Sequence, residues 1–208
     1  MTKLLYIQSS PRKGLSSSNM IAQAYIDAKL ASDSNIELDL LDLWQEELPQ
    51  FDGDKNAAKF NVMLGQDHNE VQQSAWDQIT KIANRFAGAD HYVFAIPMWN
   101  GSVPYKLKHY IDVIHQPAIL FGLDPAIGYF GLLQNKKATL VFTSGAYSPA
   151  APSPAFGIDH QSPYVKAWLN QAGVIDIEEL RFQPSLLTPS PEEDLQKIIA
   201  EAKALAQK

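Results

Sequence analysis

The sequence predicts an α/β chain in which a parallel sheet of five strands is covered by helices on both faces. Two observations predict it. Five short apolar runs alternate with segments of helical period along the chain, and a β-α repeat of that kind requires crossover connections, hence parallel strands. The runs also differ: the first, third and fourth are continuously apolar, as strands buried on both faces are, whereas the second and fifth alternate with acids, as edge strands do. Those two classes fit the doubly wound strand order 2-1-3-4-5, which puts strands two and five outermost.

Each element follows in order. Residues 3–8 read as strand one, closed by Ser9-Ser10-Pro11. Ser16 to Asn19 supply helix-start residues, and Met20, Ala24 and Ile26 to Leu30 continue as a helix. Ile36, Leu38 and Leu40 alternate with Glu37 and Asp39 as a half-buried second strand. A long irregular stretch is expected over 43–70, then a helix in which Val71, Ala75, Ile79, Ile82 and Phe86 recur. His91 to Ile96 is strand three. Pro104 opens the next helix, where proline is favoured in the first turn. Residues 117–135 are expected to be a loop or hairpin excursion, Ala138 to Phe142 strand four, and 146–160, with Pro149, Pro152 and Pro154, a loop. A helix near 161–172 stops at Gly173, a natural C-cap. Ile175, Ile177 and Leu180 mark strand five, and Leu195 to Leu205 a closing helix.

The 208 residues suit one domain spanning 1–208. With 46% hydrophobic and 19% charged residues, the chain can bury a core of useful size. A net charge of -6 argues against nucleic acid as a partner, because binding a phosphate backbone needs a basic surface. It does not argue against one phosphate held by backbone N–H groups. The absence of cysteine excludes disulfides, thiolate catalysis and Cys-ligated metal centres, so any redox chemistry must come from a bound cofactor. The first apolar run is too short for a signal peptide, and no run reaches the roughly 20 residues of a membrane span. A cytoplasmic protein without a membrane partner is expected.

In a doubly wound sheet, ligands sit beyond the carboxyl ends of the strands, at the switch point beside strand one. Three loops lie there. The first, Ser9 to Asn19, runs into a helix N-terminus, where free N–H groups and the positive helix end favour a phosphate. It has neither a P-loop spacing nor G-x-G-x-x-G. Arg12 and Lys13 read as solvated charges. The second, Pro97-Met98-Trp99-Asn100-Gly101, offers the flat face of Trp99 to a ring and Asn100 to its polar edge. The third, Thr143-Ser144-Gly145-Ala146-Tyr147, has small residues that bring N–H donors close to a ring. Each of these features also occurs as an ordinary cap, core aromatic or turn. The ordered set is what carries weight.

That set resembles the flavodoxin-like FMN-dependent NADH azoreductases and NAD(P)H quinone reductases. The carrying segments are Ser9-Ser10 with Ser16-Ser17-Ser18-Asn19, Pro97-Met98-Trp99-Asn100 with Pro104, Leu107-Lys108 with Tyr110-Ile111-Asp112, and Lys136-Lys137-Ala138 before Thr143-Ser144-Gly145. The resemblance implies a flavodoxin-like three-layer fold and FMN held tightly but non-covalently. It assigns the FMN phosphate to Ser9, Ser16, Ser17, Ser18 and Asn19, the isoalloxazine to Pro97, Met98, Trp99 and Asn100, and the far edge of the ring to Ser144, Gly145, Ala146 and Tyr147. Many relatives have Tyr where Trp99 stands, and some have Arg-Gly-Gly where this chain has Gly145-Ala146-Tyr147. The resemblance further implies a homodimer with the flavin near the subunit interface, and Phe121 as a residue lining the substrate space, from the partner chain. His160, on the proline-rich loop near the same sheet end, reads either as a residue lining that space or as a surface histidine.

With FMN carrying the chemistry, no protein side chain is expected to be catalytic and no metal is expected; His109 and His115 fall on different helix faces. The expected reaction is ping-pong: NADH or NADPH reduces the flavin, leaves, and is replaced by a quinone or aromatic azo compound. Two rivals on the same chemistry are an electron carrier of flavodoxin type, without a nicotinamide pocket, and a flavin reductase for nitroaromatic acceptors. A receiver-like signalling module would need clustered acids after strand one, where this chain has Gln8 and Ser9.

Overall fold

A computed structural model describes residues 1–151 and 154–208; Pro152 and Ser153, part of the loop expected over 146–160, lie outside the described residues. The chain runs β1 (Thr2–Gln8), a 3-10 turn (Lys13–Leu15), α1 (Ser17–Ser32), β2 (Ile36–Asp42), α2 (Gly53–Leu64), α3 (Glu70–Ala87), β3 (His91–Pro97), α4 (Tyr105–Ile114), β4 (Phe121–Asp124), β5 (Gly128–Gly131), β6 (Lys137–Thr143), α5 (Ser162–Ala172), β7 (Asp176–Phe182) and α6 (Pro191–Leu205). The main sheet has the order β2-β1-β3-β6-β7, all parallel. This is the expected 2-1-3-4-5 order, with β6 and β7 as its fourth and fifth strands.

The central strands read as their sequences predict. β3 is buried from His91 to Ile96, and β6 from Ala138 to Thr143. Their side chains divide between two cores by the period of two. Leu5, Ile7, Phe94 and Leu140 point to the layer of α3, α4 and α5; Leu4, Tyr6, Val93 and Val141 point to the layer of α1 and α6. In the first layer Phe86 stacks on Tyr92 at 4.2 Å, and the Tyr92 hydroxyl donates to the Phe86 carbonyl at 3.1 Å.

Three segments depart from the sequence expectations. The stretch 43–70 contains α2, capped by Asp52, whose side chain accepts from the Lys55 N–H, and stopped at Gly65. Only Lys55 and Ala58 of this helix are buried, so it has little apolar stripe to announce it. β2 is an edge strand, but Leu38 and Leu40 are exposed; the opposite face is closed by Arg85 of α3, which forks onto Asp39 at 2.6 and 2.9 Å. Ile175, expected in strand five, is exposed just before β7.

The excursion 117–135 is a hairpin, β4 pairing antiparallel with β5 from Phe121↔Gly131 to Asp124↔Gly128. Its base is fixed backbone to backbone on the end of α5. A Cβ on Gly131 would lie 2.2 Å from the Gly173 nitrogen, and one on Gly173 would lie 2.3 Å from the Leu133 carbonyl oxygen. Gly173 also takes the left-handed conformation (φ 100°) that ends α5. Among the described residues no helix is long and apolar enough to cross a membrane, and no group of three or more His, Asp or Glu side chains is placed to hold a metal ion.

Candidate functional site

The carboxyl ends of β1, β3 and β6 open into one cleft of about 240 Å³. β1 ends in Ser9, fully buried, whose N–H and hydroxyl both donate to the Ala95 carbonyl, at 3.2 and 2.6 Å. This locks the start of the loop to β3. Ser16 is the N-cap of α1, yet its side chain makes no capping bond; its hydroxyl meets that of Ser18 at 3.0 Å instead. The first N–H groups of a helix have no intrahelical partner, and at α1 the N-cap side chain takes none of them. Asn19 lies behind the loop. Its Nδ2 donates to the Lys13 carbonyl at 3.1 Å, holding the turn in which Lys13 has a positive φ of 49°. Ser16 and Ser17 line the cleft together with Ser10 and Arg12, whereas Ser9, Ser18 and Asn19 are buried beneath it.

The second wall is Pro97-Met98-Trp99. Met98 N–H donates to the Thr143 carbonyl at 2.7 Å, prolonging the β3–β6 pairing into the site. The chain then reverses in two residues: Trp99 and Ser102 exchange N–H···O bonds at 2.8 and 2.9 Å, with Asn100 at φ 50° and Gly101 at φ 79°. Two left-handed residues in a two-residue loop are the Asn-Gly hairpin turn. The 158–161 segment clamps it. His160 N–H donates to the Gly101 carbonyl at 2.8 Å, and the Gln161 amide donates to the Ile96 carbonyl at 3.0 Å. Asp159 starts α5 by accepting from the Gln161 and Ser162 N–H groups at 2.9 and 2.8 Å. Burial works against its ionisation, but these bonds, the Ser162 hydroxyl and Arg181 outweigh burial and hold the carboxyl below its usual range.

The third wall is Thr143-Ser144-Gly145 with Ser185 and Leu186 from beyond β7. Ser185 and Leu186 donate to the Ser144 and Gly145 carbonyls at 2.8 and 2.9 Å, so the pairing of β6 with β7 is carried into the cleft rim. The Ser144 hydroxyl is turned to the Tyr147 carbonyl. Ala146 is exposed and Tyr147 half-buried, and neither lines the cleft.

Trp99 also borders a larger cavity of about 960 Å³, with Asn100, Tyr105, Asp112, His160 and Tyr164 on its walls. The structure therefore brings Ser16, Ser17, Pro97, Met98, Trp99, Ser144 and Gly145 around one cleft and places Asn100 and His160 next door. It does not bring Phe121 there. That ring is 3% exposed, stacks on His115 at 4.6 Å and packs against Tyr129. Sequence reasoning passed over Ser185 and Leu186, although the loop after strand five sits at the same sheet end. It also passed over Trp44, which follows β2 and lies beside Trp99.

Fold and site together define a doubly wound α/β protein with a small polar cleft at the switch point of its sheet, opening beside an aromatic cavity. The chain belongs to the family described as having the flavodoxin-like fold, whose pattern matches residues 2–206. It is 48% identical over 200 residues to an FMN-dependent NADH:quinone oxidoreductase of Ruegeria pomeroyi, covering 96% of this chain and 98% of the relative. It is 38% identical over 209 residues to FMN-dependent NADH:quinone oxidoreductase 3 of Pseudomonas fluorescens, covering 100% and 97%. Among solved structures, an azoreductase from Bacillus anthracis superposes with a TM-score of 0.88 at 27% identity, covering 100% of this chain and 99% of that one. An FMN-dependent NADH-azoreductase from Bacillus anthracis, solved in complex with FMN, gives 0.83 at 25% identity, covering 99% and 98%.

Proposed function

We propose that this chain is an FMN-dependent oxidoreductase that uses NADH to reduce quinones and aromatic azo compounds. The observation that carries the reading is the uncapped N-terminus of α1. Ser16 stands at the N-cap but turns to Ser18, leaving the first-turn N–H groups uncapped at the edge of a cleft lined by Ser16, Ser17 and Arg12. A phosphate dianion fits that donor set, which has no carboxylate in it. The relatives named above supply the rest of the ligand: FMN by name, and NADH as the donor.

In this reading the Ser16 and Ser17 hydroxyls and the N–H groups of Ser17, Ser18 and Asn19 hold the phosphate, while buried Ser9 fixes the loop that presents them. Pro97, Met98, Trp99 and Asn100 would hold the flat ring, with Ser144 and Gly145 opposite them. When bound, FMN supplies the redox chemistry between donor and acceptor. The protein binds, orients and excludes water. The aromatic cavity beside Trp99 is the space for nicotinamide and acceptor in turn, each displacing the other, and His160 and Tyr164 are positioned to border it. We further propose a homodimer, with the flavin site near the subunit interface, and a cytoplasmic location.

The test is the visible spectrum after reconstitution with FMN, followed by anaerobic NADH and then a quinone. Bleaching on NADH and recovery on quinone is the expected result. Bound FMN that NADH leaves oxidised would favour an electron carrier instead, and the roomy walled cavity beside the cleft speaks against that outcome.

A further inference from the structure

Trp44 stands outside the cleft and touches two of its walls. It is reached from the edge of the sheet: Asp42, the last residue of β2, pairs with Gln8 at the end of β1, and Leu43 N–H donates to the Gln8 carbonyl at 3.1 Å. The Asp42 carboxylate then accepts from the Trp44 N–H at 2.9 Å. That turn swings the indole over the end of β1, where its Nε1 donates to the Ser9 carbonyl at 3.0 Å. Ser9 is thus gripped from both sides, by Ala95 of β3 and by Trp44. The same indole lies 5.9 Å from the Trp99 ring and 5.5 Å, edge to face, from the Tyr105 ring. One side chain therefore joins the loop that would hold a phosphate to the loop that would wall a flat ring.

We propose that Trp44 is a positioning residue that sets the spacing between the phosphate loop and the ring wall, so that the two ends of one ligand are bound together. The proposal rests on the flavin reading of the cleft. Loops beyond the strand ends have fewer ladder hydrogen bonds than the strands, and ordering them on binding lowers affinity. An indole that donates at its edge and packs by its face removes that freedom beforehand. The indole N–H is a donor only, so phenylalanine keeps an aromatic ring of smaller size and loses the bond.

The experiment titrates the apoprotein with FMN and with riboflavin, which share the ring and differ by the phosphate. Trp44→Phe is expected to weaken FMN about five-fold, the effect of one hydrogen bond, while riboflavin stays within about two-fold. The ratio of the two affinities therefore shrinks. Trp44→Leu, which loses the ring contacts as well, is expected to weaken both flavins and to shift the absorbance band of the bound ring. If Trp44→Phe weakens both flavins by the same factor, with a lowered melting temperature, Trp44 is merely structural and the proposal is overturned; unchanged FMN affinity overturns it as well. Wild-type protein that takes up neither flavin would overturn the flavin reading itself, and the positioning role with it.

Discussion

Ser17 and His91 show how much a single residue can decide here. Ser17 is the first residue of α1 and lines the cleft. A carboxylate there improves the helix and spoils the proposed phosphate site. Ser17→Asp is expected to raise apoprotein stability by about 0.5 kcal/mol through the helix dipole, and to weaken FMN by about tenfold or more through repulsion of the phosphate. Thermal unfolding without flavin and a flavin titration would read the two opposite signs. His91 is buried where β3 begins, its Nε2 2.9 Å from the Thr139 hydroxyl and Tyr25 edge-on to its ring. Burial, then the nearby Lys137 and Lys29, pushes it down to about 4 from the ordinary 6.5. His115 is pushed down to about 4 as well, by burial and then Lys59. Between those values the unfolded chain binds protons that the folded chain refuses. Stability is therefore complete above the ordinary histidine pKa and falls as pH drops through the window, by up to about 1.4 kcal/mol per pH unit for His91. Urea midpoints at about pH 7.5 and about pH 5 should show the fall, and His91→Gln should flatten its slope.

At the scale of the element, the turn after β3 carries the most consequence. Gly101 is left-handed, and a Cβ there would stand 3.0 Å from the Ile158 carbonyl oxygen. Gly101→Ala is expected to destabilise the fold by about 1–2 kcal/mol and to loosen the Trp99 wall, as a denaturant titration and the tryptophan near-UV circular dichroism would show. Asn100-Gly101 is read from the sequence as a loop offering Asn100 to a ring edge; that it is a two-residue turn with both residues left-handed comes from the structure. The three central strands were legible because burial on both faces demands unbroken apolar runs, and β1, β3 and β6 have them, while the edge strands β2 and β7 were read from alternation with acids. α2 was not legible, since a helix that buries little more than Ala58 and the stem of Lys55 needs no apolar stripe. Asp52 and Gly65 marked its ends, but its middle reads as loop. Within its own chain Phe121 is enclosed by His115 and Tyr129 and stands away from the cleft.

Across the whole molecule, the site is an assembly of sheet ends. The three walls of the cleft come from segments about 90 and 50 residues apart in sequence, brought together because parallel strands all end on the same side. The topology therefore located the cleft before any side chain was weighed. It could not show which residues of a loop face inward: Ser16 and Ser17 do, Ser18 and Asn19 do not. Nor could it show Trp44, whose partners Ser9 and Trp99 are fixed only by the folded sheet. The homodimer proposed above belongs to this scale. Sedimentation equilibrium is expected to give twice the chain mass, and a single-chain mass at micromolar concentration would remove the dimer while leaving the cleft as described.

The hairpin of β4 and β5 has a base that admits no added atom, at Gly131 against Gly173, and a tip, Asp124 to Ile127, that is fully in solvent. The chain contains no cysteine. A thiol placed at the tip by Ala126→Cys would be the only one in the molecule, so a fluorophore, spin label or electrode tether could be attached at one known point. The fixed base would make that point a handle tied to the body of the protein.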